Sequence, residues 1–241
     1  MLREIRRDRA RISYFDAHCH LQLDPLWEHR DQVINKAKSA SIVGICVAAT
    51  TPGEDFLRVE ELYLENKDFV TPCFGLHPYW IHGYFNTTKL ITELTYMLEK
   101  HPRAGVGECG LDKRITINKK SSLTAAPVSL DFQKRIFIAH LDIAIQYNRF
   151  IVCHCVGSWG ALYETILSKY REVRRSDAAL LWPPVILHSC NGISIDMAQL
   201  FTANIEHIFF SFSAGHISPK LCELIQCIPR EQILIETDSP D

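Results

Sequence analysis

The sequence predicts an α/β barrel of eight parallel strands. Short apolar runs alternate with helix-length amphipathic stretches along the chain, and the runs are continuously apolar rather than polar at every second position. Continuous hydrophobicity is what a strand covered on both faces requires. Regular β-then-α alternation implies a parallel sheet, and eight such units in 241 residues imply closure into a barrel. An open doubly wound sheet is the competing arrangement, but no G-x-G-x-x-G follows the first strand.

The elements follow in order. ISYFDAH (12–18) is the first strand candidate and leads to a helix over 28–40. IVGICVAAT (42–50) precedes a helix over 54–66, and FVTPCFGLH (69–77) one over 88–100. AGVGECG (104–110) is followed by an irregular stretch and then a helix over 129–148. FIVCHC (150–155) and VILHS (185–189) precede helices over 159–174 and 194–204. HIFFSFS (207–213) leads to a helix over 218–227, and QILIETD (232–238) is the eighth strand. Each run has strand length, and each stretch between has apolar residues at helical spacing. No repeat or linker divides the chain, so residues 12–241 form one domain, preceded by a solvated polar arm, MLREIRRDRAR, at 1–11.

Composition narrows the function classes. A formal net charge of −2 offers no whole-molecule basic field, so a phosphate-bearing substrate has to be held locally. No apolar run approaches the roughly 20 residues that span a bilayer. The nine cysteines contain no C-x-x-C pair and lie mostly in apolar runs. They read as buried free thiols of an intracellular protein of the cytoplasm or nucleus.

The chemistry sits at the ends of the apolar runs. In DAHCH (16–20), Asp16, His18 and His20 fall at every second position and share one face of a strand. His77, Glu108, His154, His188 and Asp238 end later runs. A parallel barrel brings all strand carboxyl ends to one rim, where these residues converge. One strand-end histidine is more often structural; their recurrence across separate strands reverses that prior. Cys19, Cys109, Cys153 and Cys155 neighbour them but point, by the same period, into the layer between barrel and helices. A set of imidazoles and carboxylates without thiolates suits zinc, manganese or magnesium. Six such groups are enough for two divalent ions sharing a carboxylate. The irregular stretch from Lys113 to Pro127 carries Lys113, Arg114, Lys119 and Lys120 and is expected on the same rim.

With these residues assembled, the chain resembles the TatD family of metal-dependent hydrolases. DAHCH (16–20), GLHP (75–78), GECGLD (107–112), His154, LHSCNG (187–192) and ETDSP (236–240) carry the resemblance in order. It implies a TIM (β/α)8 barrel with deoxyribonuclease or related phosphodiesterase activity on DNA and a binuclear metal centre. Carried over by position, His18, His20 and Asp238 hold one ion, Glu108 bridges, and His154 and His188 hold the other. Asp238 is then the proton acceptor, and His77, Lys113 and Arg114 are candidate substrate contacts.

Two departures stand out. Many family members follow the fifth-strand histidine with cysteine and arginine, whereas this sequence reads His154-Cys155-Val156; Lys113 or Arg114 is the expected replacement cation. HCVGSWGALYETIL and FFSFS are more similar to a divergent eukaryotic branch, whose members are named for association with a subunit of the anaphase-promoting complex. The sequence also stops at Asp241, so no final helix is expected after the eighth strand. An uncovered apolar flank there predicts marginal stability, self-association or a protein partner. Two alternatives to nuclease action stay open: amide or ester hydrolysis on the same centre, and a catalytically weak scaffold that works through a partner.

Overall fold

All eight apolar runs are strands, hydrogen-bonded in the order β1-β2-β3-β4-β5-β6-β7-β8, with each neighbouring pair parallel. The computed structural model describes residues 12–83, 87–116, 128–176, 180–215 and 217–240. The polar arm and the lysines and hydroxyls of 117–127 lie outside the described residues. Strands β1 (Tyr14–Cys19), β2 (Ile42–Ala48), β3 (Val70–Phe74) and β4 (Gly105–Asp112) are followed by β5 (Ile151–Val156), β6 (Val185–Leu187), β7 (Ile208–Ser213) and β8 (Ile233–Glu236). The helices between them are α1 (Arg30–Ser39), α2 (Glu54–Glu65), α3 (Thr87–Lys100), α4 (Leu130–Tyr147), α5 (Trp159–Arg175), α6 (Ile195–Asn204) and α7 (Pro219–Gln226).

Local chemistry sets where the helices start. Ser129, Ser194 and Ser218 precede α4, α6 and α7, and each hydroxyl accepts a hydrogen bond from a first-turn amide. Such caps satisfy amides that have no partner inside the helix, and each contributes about 1 kcal/mol. Asn148 ends α4 in the left-handed conformation that asparagine tolerates.

Alternation along the strands splits the interior. Cys46, Ala48, Cys73 and Val152 form a small cluster with Phe150 and Ile186, while a larger apolar layer packs the helices onto the strands. Cys19, Cys109, Cys153 and Cys155 all belong to the larger layer, and all nine cysteines are free thiols. Phe74, Phe137 and Phe210 are fully buried in it; truncating one to alanine costs about 3–5 kcal/mol.

Closure joins the two ends of the chain. The amide of His20 donates to the carbonyl of Ser239 at 2.7 Å, and that of Asp238 to the carbonyl of His18 at 3.0 Å. The buried Asp16 carboxylate accepts from the Thr237 amide at 2.9 Å and the Thr237 hydroxyl at 2.7 Å. Tyr14 and Phe15 at the start of β1 and Ile235 of β8 are exposed.

Candidate metal centre

Two glycines explain how Glu108 reaches the barrel axis. Gly107 and Gly110 have φ of +135° and +148°, a region open to glycine. A Cβ would stand 2.6 Å from the Val152 carbonyl at the first and 2.0 Å from the His154 carbonyl at the second. The register between β4 and β5 shifts between Val106 and Cys109. Such an irregularity re-aims a side chain, and here it sets Glu108 against His154. The period of β1, carried one residue beyond its end, delivers His18 and His20 to the same space.

Glu108 is the hub. Its Oε1 lies 2.7 Å from His188 Nε2, 2.9 Å from His154 Nδ1 and 3.5 Å from His77 Nε2. Its Oε2 lies 3.2 Å from His20 Nε2 and 3.5 Å from His18 Nε2. Asp238 Oδ1 closes the far side, 3.5 Å from His18 Nε2 and 3.9 Å from His20 Nε2. The structure therefore brings together all six residues expected as metal ligands. Among the described residues, three sets have ligand-competent spacing: His18, His20 and Glu108; His18, His188 and Asp238; and His77, Glu108 and His154.

Hydrogen bonds at the outer ring nitrogens assign tautomers. The Nδ1–H of His20 donates to the Ala48 carbonyl at 2.8 Å, which leaves the Nε2 lone pair facing the centre. The Nε2–H of His154 donates to Asp112 Oδ2 at 3.2 Å, which leaves Nδ1 facing Glu108. His77 is reversed: its Nδ1 accepts from the Tyr79 amide at 3.2 Å, so the inward Nε2 carries the proton. By that assignment His77 is a hydrogen-bond donor into the site, although its ring lies among the ligands.

Electrostatics follow burial and the shared carboxylate. Burial, with His188 nearby, lowers His18 to about 3, and burial lowers His77 to about 3 against the pull of Glu108. Burial also disfavours charge on His20 and His154. Glu108 outweighs it at His20, and Asp112 with Glu108 at His154, lifting both to about 9; without a metal the inward nitrogen of each therefore holds a second proton at neutral pH, which a bound cation would displace to reach the lone pair. Burial raises Glu108, but the surrounding imidazoles prevail and hold it well below the ordinary carboxylate range.

Four residues to which the sequence analysis gave no role complete the site: Asp112 and Glu236, which lie in the GECGLD and ETDSP segments, and Tyr79 and Trp80. Asp112 is fully buried and accepts from Arg114 through Nε at 3.1 Å and Nη2 at 2.7 Å; Gln133 of α4 bonds both its amide and its carbonyl. Burial opposes its charge, yet His154 and Arg114 hold it below the ordinary range. Glu236 accepts from the Ser211 hydroxyl and from the Ser189 amide at 2.7 Å, with Oε1 3.9 Å from His188 Nδ1. Burial pushes Glu236 up to about 7. Tyr79 and Trp80, on the turn of 3-10 helix that follows His77, line the mouth.

Arg114 also lines the mouth, whereas Lys113 lines a separate hollow beside Gly157 and Trp159. Cys155 borders the site, but burial raises its thiol to about 12, so it carries no thiolate there at neutral pH. The cavity measures about 390 Å³.

The donors fit divalent ions. His18 Nε2 and His20 Nε2 are 3.1 Å apart, aimed into one space, and buried beside a carboxylate. Lone pairs gathered so closely are satisfied by a cation, and a nitrogen–oxygen set accommodates zinc or manganese, or magnesium with water.

The chain matches the family described as TatD related DNase over residues 15–241. It is 24% identical over 298 aligned positions to the Cut9-interacting protein scn1 of Schizosaccharomyces pombe, covering 94% of this chain and 86% of that protein. It is 25% identical over 240 positions to the deoxyribonuclease TATDN3 of Homo sapiens, covering 96% of this chain and 79% of that one. Among solved structures it resembles YJJV, a TatD homologue from Escherichia coli K12. That match has a TM-score of 0.75 at 23% identity and covers 95% of this chain and 80% of the other.

Proposed function

Since this chain belongs to the TatD-related DNase family, we propose that it is a divalent-metal-dependent hydrolase that cleaves phosphodiester bonds in DNA. One observation supports this most strongly: Glu108 lies within 3.5 Å of five imidazoles, with Asp238 on the far side of the same cavity. Two ions are the natural complement of that donor set, with His18, His20 and Asp238 on one side, His154 and His188 on the other, and Glu108 between. Bound there, divalent ions would lower the pKa of a water and polarise a phosphoryl oxygen.

The protein's own groups supply the rest. Asp238 keeps 19% side-chain exposure where Glu108 keeps 2%, so Asp238 is the carboxylate that can meet an entering water and accept its proton. Neutral His77 presents Nε2–H as a donor to a phosphate oxygen. Arg114 offers a planar cation at the mouth, held in place by Asp112, which suits it to orient the phosphate where the family's usual arginine is missing. Nine free cysteines fit a reducing compartment such as cytoplasm or nucleus, and no helix among the described residues is long and apolar enough to cross a membrane.

The direct experiment is digestion of single- and double-stranded DNA by purified, metal-supplemented protein. Activity that requires metal and disappears in Asp238→Asn supports the proposal; intact DNA under zinc, manganese and magnesium rejects it.

A second reading, engagement of a protein partner, is favoured by the exposed Tyr14, Phe15 and Ile235 and by the interaction named for the fission-yeast relative. A pure scaffold has no physical need for a buried ligand cluster, so near-zero metal content after supplementation would favour this reading.

A further inference from the structure

A second polar hollow lies on the rim beside the metal centre, and the hydrolytic machinery does not use it. Arg114 and Val156 line the cavity that holds Glu108. Lys113 and Gly157, the adjoining residue of each segment, line the hollow together with Ser158 and the first turn of α5, from Trp159 to Ala161.

The start of α5 offers donors. The helix runs for 17 residues, and among the described residues the amides of Trp159, Gly160 and Ala161 have no acceptor. Such amides, with the helix dipole behind them, favour an anion. The approach is open, because a Cβ on Gly160 would meet nothing within 4 Å. Lys113 brings a cation to the same place. A Cβ on Gly157 would stand 3.3 Å from Lys113 Cβ and 3.7 Å from its Cδ, so the lysine stem runs alongside that glycine.

Ser158 points to a ligand independently of the helix end. It precedes α5 as Ser129, Ser194 and Ser218 precede their helices, yet its hydroxyl accepts from no first-turn amide. It is 7% exposed, and its Oγ is buried with no hydrogen-bond partner among the described residues. A buried hydroxyl left unpaired costs stability, and an oxygen of a bound anion would supply the missing partner.

We infer that Ser158, Lys113 and the first-turn amides of α5 form a phosphate subsite, which holds the phosphate next along the substrate from the one at the metal centre. The subsite rests on the hydrolase proposal and gives it a second anchor. One phosphate at the metals fixes a point on a polyanion, and a second fixes the direction in which the chain leaves. Local anchoring of this kind also suits a protein of net charge −2, which has no broad basic surface.

The test is fluorescence anisotropy with a short oligothymidylate labelled on a base, without added metal so that the strand is not consumed. Lys113→Gln is expected to flatten the slope of log affinity against log salt by about 0.7, the share of one phosphate contact. Gly160→Asp suits the start of a helix and is expected to weaken binding at least about 5-fold, the repulsion of unit charges about 4 Å apart in water. Ser158→Ala loses no hydrogen bond within the protein, so its urea midpoint is expected to match or exceed that of wild type while binding weakens about 2- to 13-fold. Lys89→Gln, on α3, is expected to bind as wild type does. Strands with and without a terminal phosphate separate the sources: losses on the unphosphorylated strand assign the subsite to a backbone diester, and losses confined to the phosphorylated strand assign it to a terminal monoester.

Lys113→Gln and Gly160→Asp binding both strands with wild-type affinity and salt slope would overturn the subsite. So would a loss in Lys113→Gln that Gly160→Asp does not share, since the lysine would then act as a lone surface charge. If wild type still digests DNA in either case, the hydrolase proposal stands without the subsite. The expected losses in a protein that cleaves no phosphodiester would leave the subsite standing and remove the hydrolase.

Discussion

The backbone amide of Asp238 donates to the carbonyl of His18 across 3.0 Å. The carboxylate two residues after the last strand is thereby delivered beside an imidazole of the first by a main-chain hydrogen bond. Asp16 reinforces the seam through the amide and hydroxyl of Thr237. Barrel closure and assembly of the site are one event.

Asp16→Ala should therefore weaken both. Removing a buried acceptor from three donors, the His18 and Thr237 amides and the Thr237 hydroxyl, is expected to destabilise the fold by about 2–3 kcal/mol. Urea unfolding measures that cost, and metal titration should show weaker binding as Asp238 loses its fixed position. Unchanged metal affinity at reduced stability would separate closure from the site.

Glu236 is expected to orient His188. It braces the amide of Ser189, which follows His188 and has φ of +50°, and its Oε1 is 3.9 Å from His188 Nδ1. Groups placed behind a metal-bound histidine commonly contribute 10- to 100-fold in affinity. Glu236→Gln should weaken metal binding by about that factor, and the loss should vanish in a His188→Ala background. Calorimetric titration of the two single variants and the double variant measures the coupling.

His140 on α4 should contribute to acid lability. Its Nδ1–H donates to the Ile136 carbonyl, its Nε2 accepts from the Leu76 amide at 3.0 Å, and burial lowers its pKa from 6.5 to about 4. The unfolded chain takes up this proton first. The neutral form's stabilisation is therefore intact above pH 6.5 and is lost as pH falls towards about 4. The loss amounts to about 3 kcal/mol across that window. Denaturation measured at several pH values should show a shallower acid slope for His140→Gln than for wild type.

Much of this was legible before any coordinates. Continuous apolar runs marked β1 to β8 because strands covered on both sides leave that pattern, and polar strand ends marked the rim. His18, His20, Glu108, His154, His188 and Asp238 meet there because closure leaves them one place to point. The supporting roles were not legible. Asp112 and Glu236 lie in the GECGLD and ETDSP segments, but what they do at the site depends on partners distant in sequence, His154 at 3.2 Å and Ser189 at 2.7 Å. His77 illustrates a finer limit: its position follows from β3, but the direction of its proton depends on the Tyr79 amide. For Lys113 and Arg114, neighbours in sequence, the turn after β4 carries one side chain towards Trp159 and the other to the mouth.

The most direct test is to count metal per chain and assay DNA digestion in parallel for wild type and Glu108→Gln. A carboxylate shared by five imidazoles predicts about two divalent ions per wild-type chain together with metal-dependent digestion, and loss of both in the variant. A metal-supplemented wild type that carries none, or a variant that equals it in metal and activity, would contradict the account.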